Sequence, residues 1–175
     1  MTSPKYPLVL DLLGKRVVVV GGGKVAAKRS KELLIAGAKL LLIAPEIDND
    51  LVELLTSNHF EWKARPFQSG DLGGAWLVQA ATGNPEIDSK IAKEAEALRI
   101  WCVQASASAQ SSAWTPAVAH GEDGILVAVS GGYDPGRASA IRDAVASGLQ
   151  TGELPIRRRR KTERTRKSNM RTLTR

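Results

Sequence analysis

Cysteine occurs once in the 175 residues, at Cys102, and histidine twice, at His59 and His120. One cysteine excludes an internal disulfide, and its place in an apolar run reads as a buried structural thiol rather than a nucleophile. The two histidines are isolated, with no cysteine or acid at ligand spacing, so no metal centre is expected and both read as surface or strand-edge residues. No apolar run approaches the roughly 20 residues of a membrane span. The opening Met1-Thr2-Ser3-Pro4-Lys5-Tyr6-Pro7 has neither the basic nor the apolar section of a signal peptide, so a cytoplasmic protein is expected. Also missing is a Gly-Lys-Ser/Thr at P-loop spacing, which argues against ATP hydrolysis.

Acidic residues are scarce in one place only. Arg157 to Arg175 holds ten Lys/Arg and the single acid Glu163, a local charge of +9, although the whole chain is +7. The other 156 residues are therefore nearly neutral, at −2. The basic end (151–175) has almost nothing to bury and reads as a disordered tail. Such a tail can hold polyanions by releasing counterions, but it lacks interleaved aromatics or a binding fold, and nucleic acid is not the expected partner.

What is abundant is β-branched and aliphatic sequence in short blocks. Val17-Val18-Val19-Val20 and Lys39 to Ile43 are continuous rather than alternating, as are Ala75 to Ala81 and Arg99 to Val103. Runs of this kind belong to a parallel sheet covered on both faces. His59 to Ala64 alternates and suits a peripheral strand. Between these runs, helices are expected over Lys24–Ala36, from Pro45-Glu46 through Leu55 with Asp48 as a candidate cap, and over Pro85–Leu98. Alternating strands and helices give an α/β, Rossmann-like doubly wound sheet, placed at residues 1–112. After a Ser/Ala-rich loop the rhythm changes. Strands near Trp114–Ala119 and Ile125–Ser130 form a hairpin, followed by a helix from about Arg137 to Leu149. This 113–150 segment has few residues for a core of its own and is expected to pack against a second subunit.

The chemistry is concentrated in the first strand–turn–helix. Gly21-x-Gly23-x-x-Ala26 fits the dinucleotide fingerprint with its final glycine replaced by alanine. A glycine turn at the start of a helix leaves backbone N–H groups unpaired at the positive end of the helix dipole, where a phosphate can sit. Gly21, Gly22, Gly23, Lys24, Val25 and Ala26 are the candidate cofactor residues. Glu46 lies 20 residues beyond Ala26. It either meets ribose hydroxyls of NAD or, following Pro45, stabilises the next helix. No arginine directly follows the second strand to receive a 2′-phosphate, which favours NAD over NADP. The Ser130-Gly131-Gly132 loop opening the last helix is a second candidate anion site.

Several motifs in one order extend this reading. Tyr6-Pro7-Leu8, the Gly21-Gly22-Gly23-x-Val25-Ala26 turn with Lys28-Arg29, Ala44-Pro45-Glu46, Ala80-Ala81-Thr82 and Val127-Ala128-Val129-Ser130-Gly131-Gly132 occur together. Over about residues 6–150 the chain resembles the precorrin-2 dehydrogenase / sirohydrochlorin ferrochelatase family of sirohaem synthesis. The resemblance implies NAD-dependent oxidation of precorrin-2 to sirohydrochlorin, in some members ferrous iron insertion, and a homodimer formed through the segment after the nucleotide domain. It adds Thr82 to the cofactor set. The implied substrate bears many carboxylates, for which Lys24, Lys28, Arg29, Arg137 and the Ser130–Gly132 loop are candidates; the cations read equally as solvated helix surface.

Two departures stand out. The family usually has an aspartate shortly after the strand Ile100-Trp101-Cys102-Val103, and the best-matching position here is Ser106. A serine hydroxyl is no general base near neutral pH without an activating neighbour. A catalytically weak or silent NAD-binding dimer, regulatory or scaffolding, is therefore the alternative to an active dehydrogenase. Relatives also commonly continue into a helical domain or a fused methyltransferase; here that methyltransferase is expected to be a separate protein.

Overall fold

A computed structural model describes residues 5–58, 60–105, 111–132 and 134–154. Chain contacts divide it into two compact units, one ending at Thr115 and the other beginning at Pro116. In the first unit, β1 (Arg16–Val20), β2 (Lys39–Ile43), β3 (Glu61–Lys63), β4 (Leu77–Ala80) and β5 (Trp101–Gln104) form one sheet in the order β3-β2-β1-β4-β5. All neighbouring pairs are parallel.

The apolar runs become central strands because both of their faces are covered. Val17, Val19, Leu40 and Leu42 lie on one face with Ala26, Ala27 and Leu33 of α1 (Lys24–Ile35) and Leu51 of α2 (Asn49–Asn58). Val18, Val20, Leu41 and Ile43 lie on the other, with Ile91, Ala92 and Ala95 of α3 (Pro85–Ala97) and Leu72 and Ala75 of the loop before β4. Each fully buried aliphatic side chain contributes about 1.5–3 kcal/mol relative to exposure, which fixes the register of β1 and β2 more firmly than that of the short β3.

The chain steps from β1 to β2 to β3 on one side, then crosses to β4 and β5 on the other. The order therefore reverses between β1 and β4, the position at which doubly wound sheets bind ligands beyond the carboxyl ends of their strands. The crossing is pinned by Asp71. Its carboxylate accepts two hydrogen bonds from Arg65, 2.8 and 2.6 Å, and one from the Gln68 amide, 2.9 Å, and its backbone carbonyl accepts from the Arg16 guanidinium.

The helix expected from Pro45 begins four residues later, at Asn49. Residues 44–48 instead run across the glycine turn, where the Asp48 N–H donates to the Gly22 carbonyl at 2.7 Å. Asp48 then caps α2, its side chain accepting from the Asp50 amide. His59 lies outside the described residues, as do 155–175 of the basic end.

The second unit contains the antiparallel hairpin β6 (Ala117–His120) and β7 (Leu126–Val129), joined through a 3₁₀ turn at Glu122–Gly124, and α4 (Pro135–Thr151), which packs on both strands. Gly121 accommodates this packing, with Ile125 and Leu149 against it. Among the described residues no helix is long and apolar enough to cross a membrane.

Candidate functional site

Among the described residues four α-helices begin, and three are capped by a side chain. Asp48 serves α2. Asn84 accepts from the Glu86 and Ile87 amides of α3, and Asp134 accepts from the Arg137 amide of α4. The start of α1 is different: its cap position is Gly23, in extended conformation with no side-chain hydrogen bond. Among the described residues, no acceptor meets the N–H groups of Lys24, Val25 or Ala26. The first turn of α1 also holds no acidic residue. Its positive end is left open for an anion from outside.

The three glycines have separate jobs. Gly21 sits at φ +126, and a Cβ there would overlap the carbonyl of Ala81. A Cβ on Gly22 would overlap the carbonyl of Glu46. These two let the turn pack between the ends of β4 and β2. Gly23 has nothing within 4 Å of where its Cβ would be; the space it leaves empty is where a phosphate can approach the backbone.

That space belongs to a cleft of about 320 Å³ lined by Gly23, Lys24, Val25, Ala81, Thr82, Gly83 and Ala105. It lies at the β1/β4 reversal. A larger cavity, about 470 Å³, is lined by Arg16, Lys39 and Glu61, the first residues of β1, β2 and β3. It therefore opens at the opposite end of the sheet, away from the reversal and from the open helix terminus, and the smaller cleft is the candidate site.

The cleft thus brings together Gly23, Lys24, Val25 and Thr82 from the expected cofactor set, with Gly21, Gly22 and Ala26 buried or half-buried behind them. Thr82 takes part with its hydroxyl already engaged: it donates to Asp88 at 2.6 Å and accepts from the Asn84 amide at 3.1 Å. Glu46 is exposed, three residues past the end of β2, with its backbone carbonyl against Gly22. The capping role belongs to Asp48. Lys28 is exposed on α1, and Arg29 pairs with Glu32 at 3.1 Å.

In the second unit, Ser130, Gly132 and Arg137 are exposed, and Gly131 packs on the first turn of α4. Asp134 places a carboxylate at that helix end, so an incoming anion there meets a like charge. Ser106 lies outside the described residues; Ala105 just before it lines the cleft. Among the described residues no group of three or more His, Cys, Asp or Glu is placed to hold a metal ion.

Sequence reasoning did not single out Asp88. It is fully buried in the first part of α3. Nearby, burial and then the charge of Asp88 push the Cys102 thiol up to about 11. Native protein at pH 8 is expected to resist alkylation at Cys102, and labelling to become complete on unfolding in urea. Stoichiometric labelling of the folded protein within minutes would contradict this environment.

A family model described as "Putative NAD(P)-binding" matches residues 8–117. A siroheme synthase of Pseudomonas putida (strain W619) is 36% identical over 150 residues, 85% of this chain and 32% of that protein. "Siroheme synthase 3" of Aeromonas hydrophila is 35% identical over 137 residues, 78% of this chain and 29% of that protein. The chain thus spans about a third of the length of these curated relatives. Among solved structures, "SirC, precorrin-2 dehydrogenase" superposes with a TM-score of 0.67 at 25% identity, covering 82% of this chain and 71% of that one.

Proposed function

The chain belongs to the NAD(P)-binding family whose model spans residues 8–117, and from that premise we propose that it is an NAD-dependent dehydrogenase oxidising precorrin-2 to sirohydrochlorin. The observation that carries this reading is the uncapped α1 terminus opening on the cleft at the sheet reversal. A dinucleotide fits the residues present: unpaired N–H groups for its phosphates, an empty position at Gly23, and Thr82 and Gly83 as the facing wall. The N–H groups of Lys24, Val25 and Ala26 bind the pyrophosphate. Glu46 serves the ribose hydroxyls, which favours NAD over NADP.

When bound, NAD supplies the acceptor for the hydride that leaves the substrate. The chain supplies orientation and charge. Lys28 holds a substrate carboxylate, and the hairpin-plus-helix unit forms a homodimer. The names of the siroheme synthases and of the precorrin-2 dehydrogenase structure support this choice of substrate.

Mixing purified protein, NAD and precorrin-2 tests the proposal. NADH and sirohydrochlorin are expected to appear in equal amounts. Tight NAD binding without turnover would overturn it in favour of the silent NAD-binding dimer that Ser106 suggests.

A further inference from the structure

We propose that Asp88 is a positioning residue for the dinucleotide cleft, holding the wall formed by residues 81–83 through Thr82; this deepens, and rests on, the cofactor reading above. Burying a carboxylate is costly unless hydrogen bonds compensate. Asp88 is fully buried, and its Oδ1 accepts both the Thr82 hydroxyl at 2.6 Å and the Thr82 amide at 3.1 Å. Capping α3 does not require it, because Asn84 already accepts from the Glu86 and Ile87 amides, with Pro85 in the first turn. The carboxylate reaches back to the loop instead.

Two consequences reach the cleft. The 81–83 loop is fixed at two successive residues: the Ala81 N–H donates to the Val20 carbonyl at 2.8 Å, and Asp88 fixes Thr82. Because the Ala81 carbonyl is the group that packs against Gly21, this tether also sets the distance between the loop and the glycine turn across the cleft. Second, Thr82 has one hydroxyl proton, and Asp88 takes it while the Asn84 amide occupies one lone pair of the oxygen. What Thr82 retains for a ligand is its methyl group, its backbone carbonyl and one acceptor lone pair of its hydroxyl. Asp88 thereby decides what this wall offers the cofactor, without touching it.

The test uses the intact chain with NAD as the probe, at a temperature where circular dichroism shows every variant folded. Asp88→Ala is expected to raise the Kd and KM for NAD about tenfold as the loop loses both hydrogen bonds to the carboxylate, with kcat at saturating NAD within about threefold of wild type. Asp88→Asn keeps an acceptor oxygen and is expected to restore Kd to within about threefold. Thr82→Val in the Asp88→Ala background is expected to add less than about twofold, because the two residues act as one unit. Should Asp88→Ala fail to fold, Asp88→Ser, too short to span the contact, carries the same test. Wild-type affinity in Asp88→Ala, or a Kd in Asp88→Asn as weak as in Asp88→Ala, would overturn the tether alone. Wild-type protein that binds no NAD would overturn the cofactor reading and the tether with it.

Discussion

Gly21→Ala and Gly22→Ala are each expected to destabilise the protein by about 3 kcal/mol or more, whereas Gly23→Ala is expected to fold and lose its cofactor. The three residues are adjacent and identical, so composition predicts no difference among them. The difference comes from what each lacks a side chain for. At Gly21 a methyl group would strike the Ala81 carbonyl, and φ +126 is a backbone conformation that alanine does not adopt without strain. At Gly22 it would strike the Glu46 carbonyl. Both obstacles are backbone, so relief requires moving the end of β4 or the β2–α2 connection rather than rotating a side chain. At Gly23 the backbone is extended, which alanine adopts freely, and the methyl group meets no protein atom. The cost there is less than about 1 kcal/mol, the ordinary preference of a helix cap for glycine over alanine. The methyl group would, however, stand where a phosphate must come close to the backbone. NAD affinity is expected to fall at least tenfold, about 1.4 kcal/mol. Urea unfolding and NAD titration of the three variants separate these effects. A Gly23→Ala variant that binds NAD like wild type would refute the phosphate assignment, and a Gly21→Ala variant as stable as wild type would refute the packing.

The contrast also shows what a sequence can and cannot express. The ends of β1 and β2 are legible because four or five consecutive aliphatic residues leave a buried parallel strand as their only stable place. The turn between β1 and α1 is legible because three glycines cannot be helix interior. The start of α2 is not. Pro45-Glu46 has the local form of a helix beginning, yet the Asp48 N–H is taken by Gly22 and α2 does not start until that contact is made. Asp88 is hidden for a related reason. An acid in the first turn of a helix ordinarily faces water and favours the dipole, and nothing local distinguishes one that is wholly buried. The signal lies in combination: Thr82, Asn84-Pro85 and Asp88 form a turn in which a hydroxyl three residues before the helix needs an acceptor from inside it. Gly21 is likewise explained only by Ala81, sixty residues later in the chain. Strands and helix identities are local facts; which loops touch at the carboxyl end of the sheet is a fact of topology.

Asp71→Ala is expected to cost about 2 kcal/mol at pH 7, and that cost should vanish in acid. The carboxylate is buried, but Arg65 is about one-third exposed, so losing the pair lets the guanidinium regain water and lowers the penalty below that of a fully buried ion pair. What remains is the stranded Gln68 amide and the loosened crossing between β3 and β4. The pH dependence has a definite sign. The Arg65 hydrogen bonds, then the Gln68 amide and the charges of Arg65 and Lys63, hold the Asp71 carboxyl below its usual range against the opposing effect of burial. The native state therefore binds fewer protons than the unfolded chain as pH falls past the unfolded carboxyl value near 3.9. The stabilisation is complete above that value and disappears as pH drops through the lower folded value. Wild type and Asp71→Ala should differ most at pH 6–8, and the gap should narrow progressively as pH falls below the unfolded carboxyl value. Chemical unfolding across that range measures the difference directly, and a gap as large at pH 3 as at pH 7 would show that the carboxylate's charge contributes nothing. Because this crossing delivers the chain to β4, whose end carries Ala81 and Thr82, the variant is also expected to bind NAD more weakly while folded, linking an ion pair remote from the cleft to the position of its far wall.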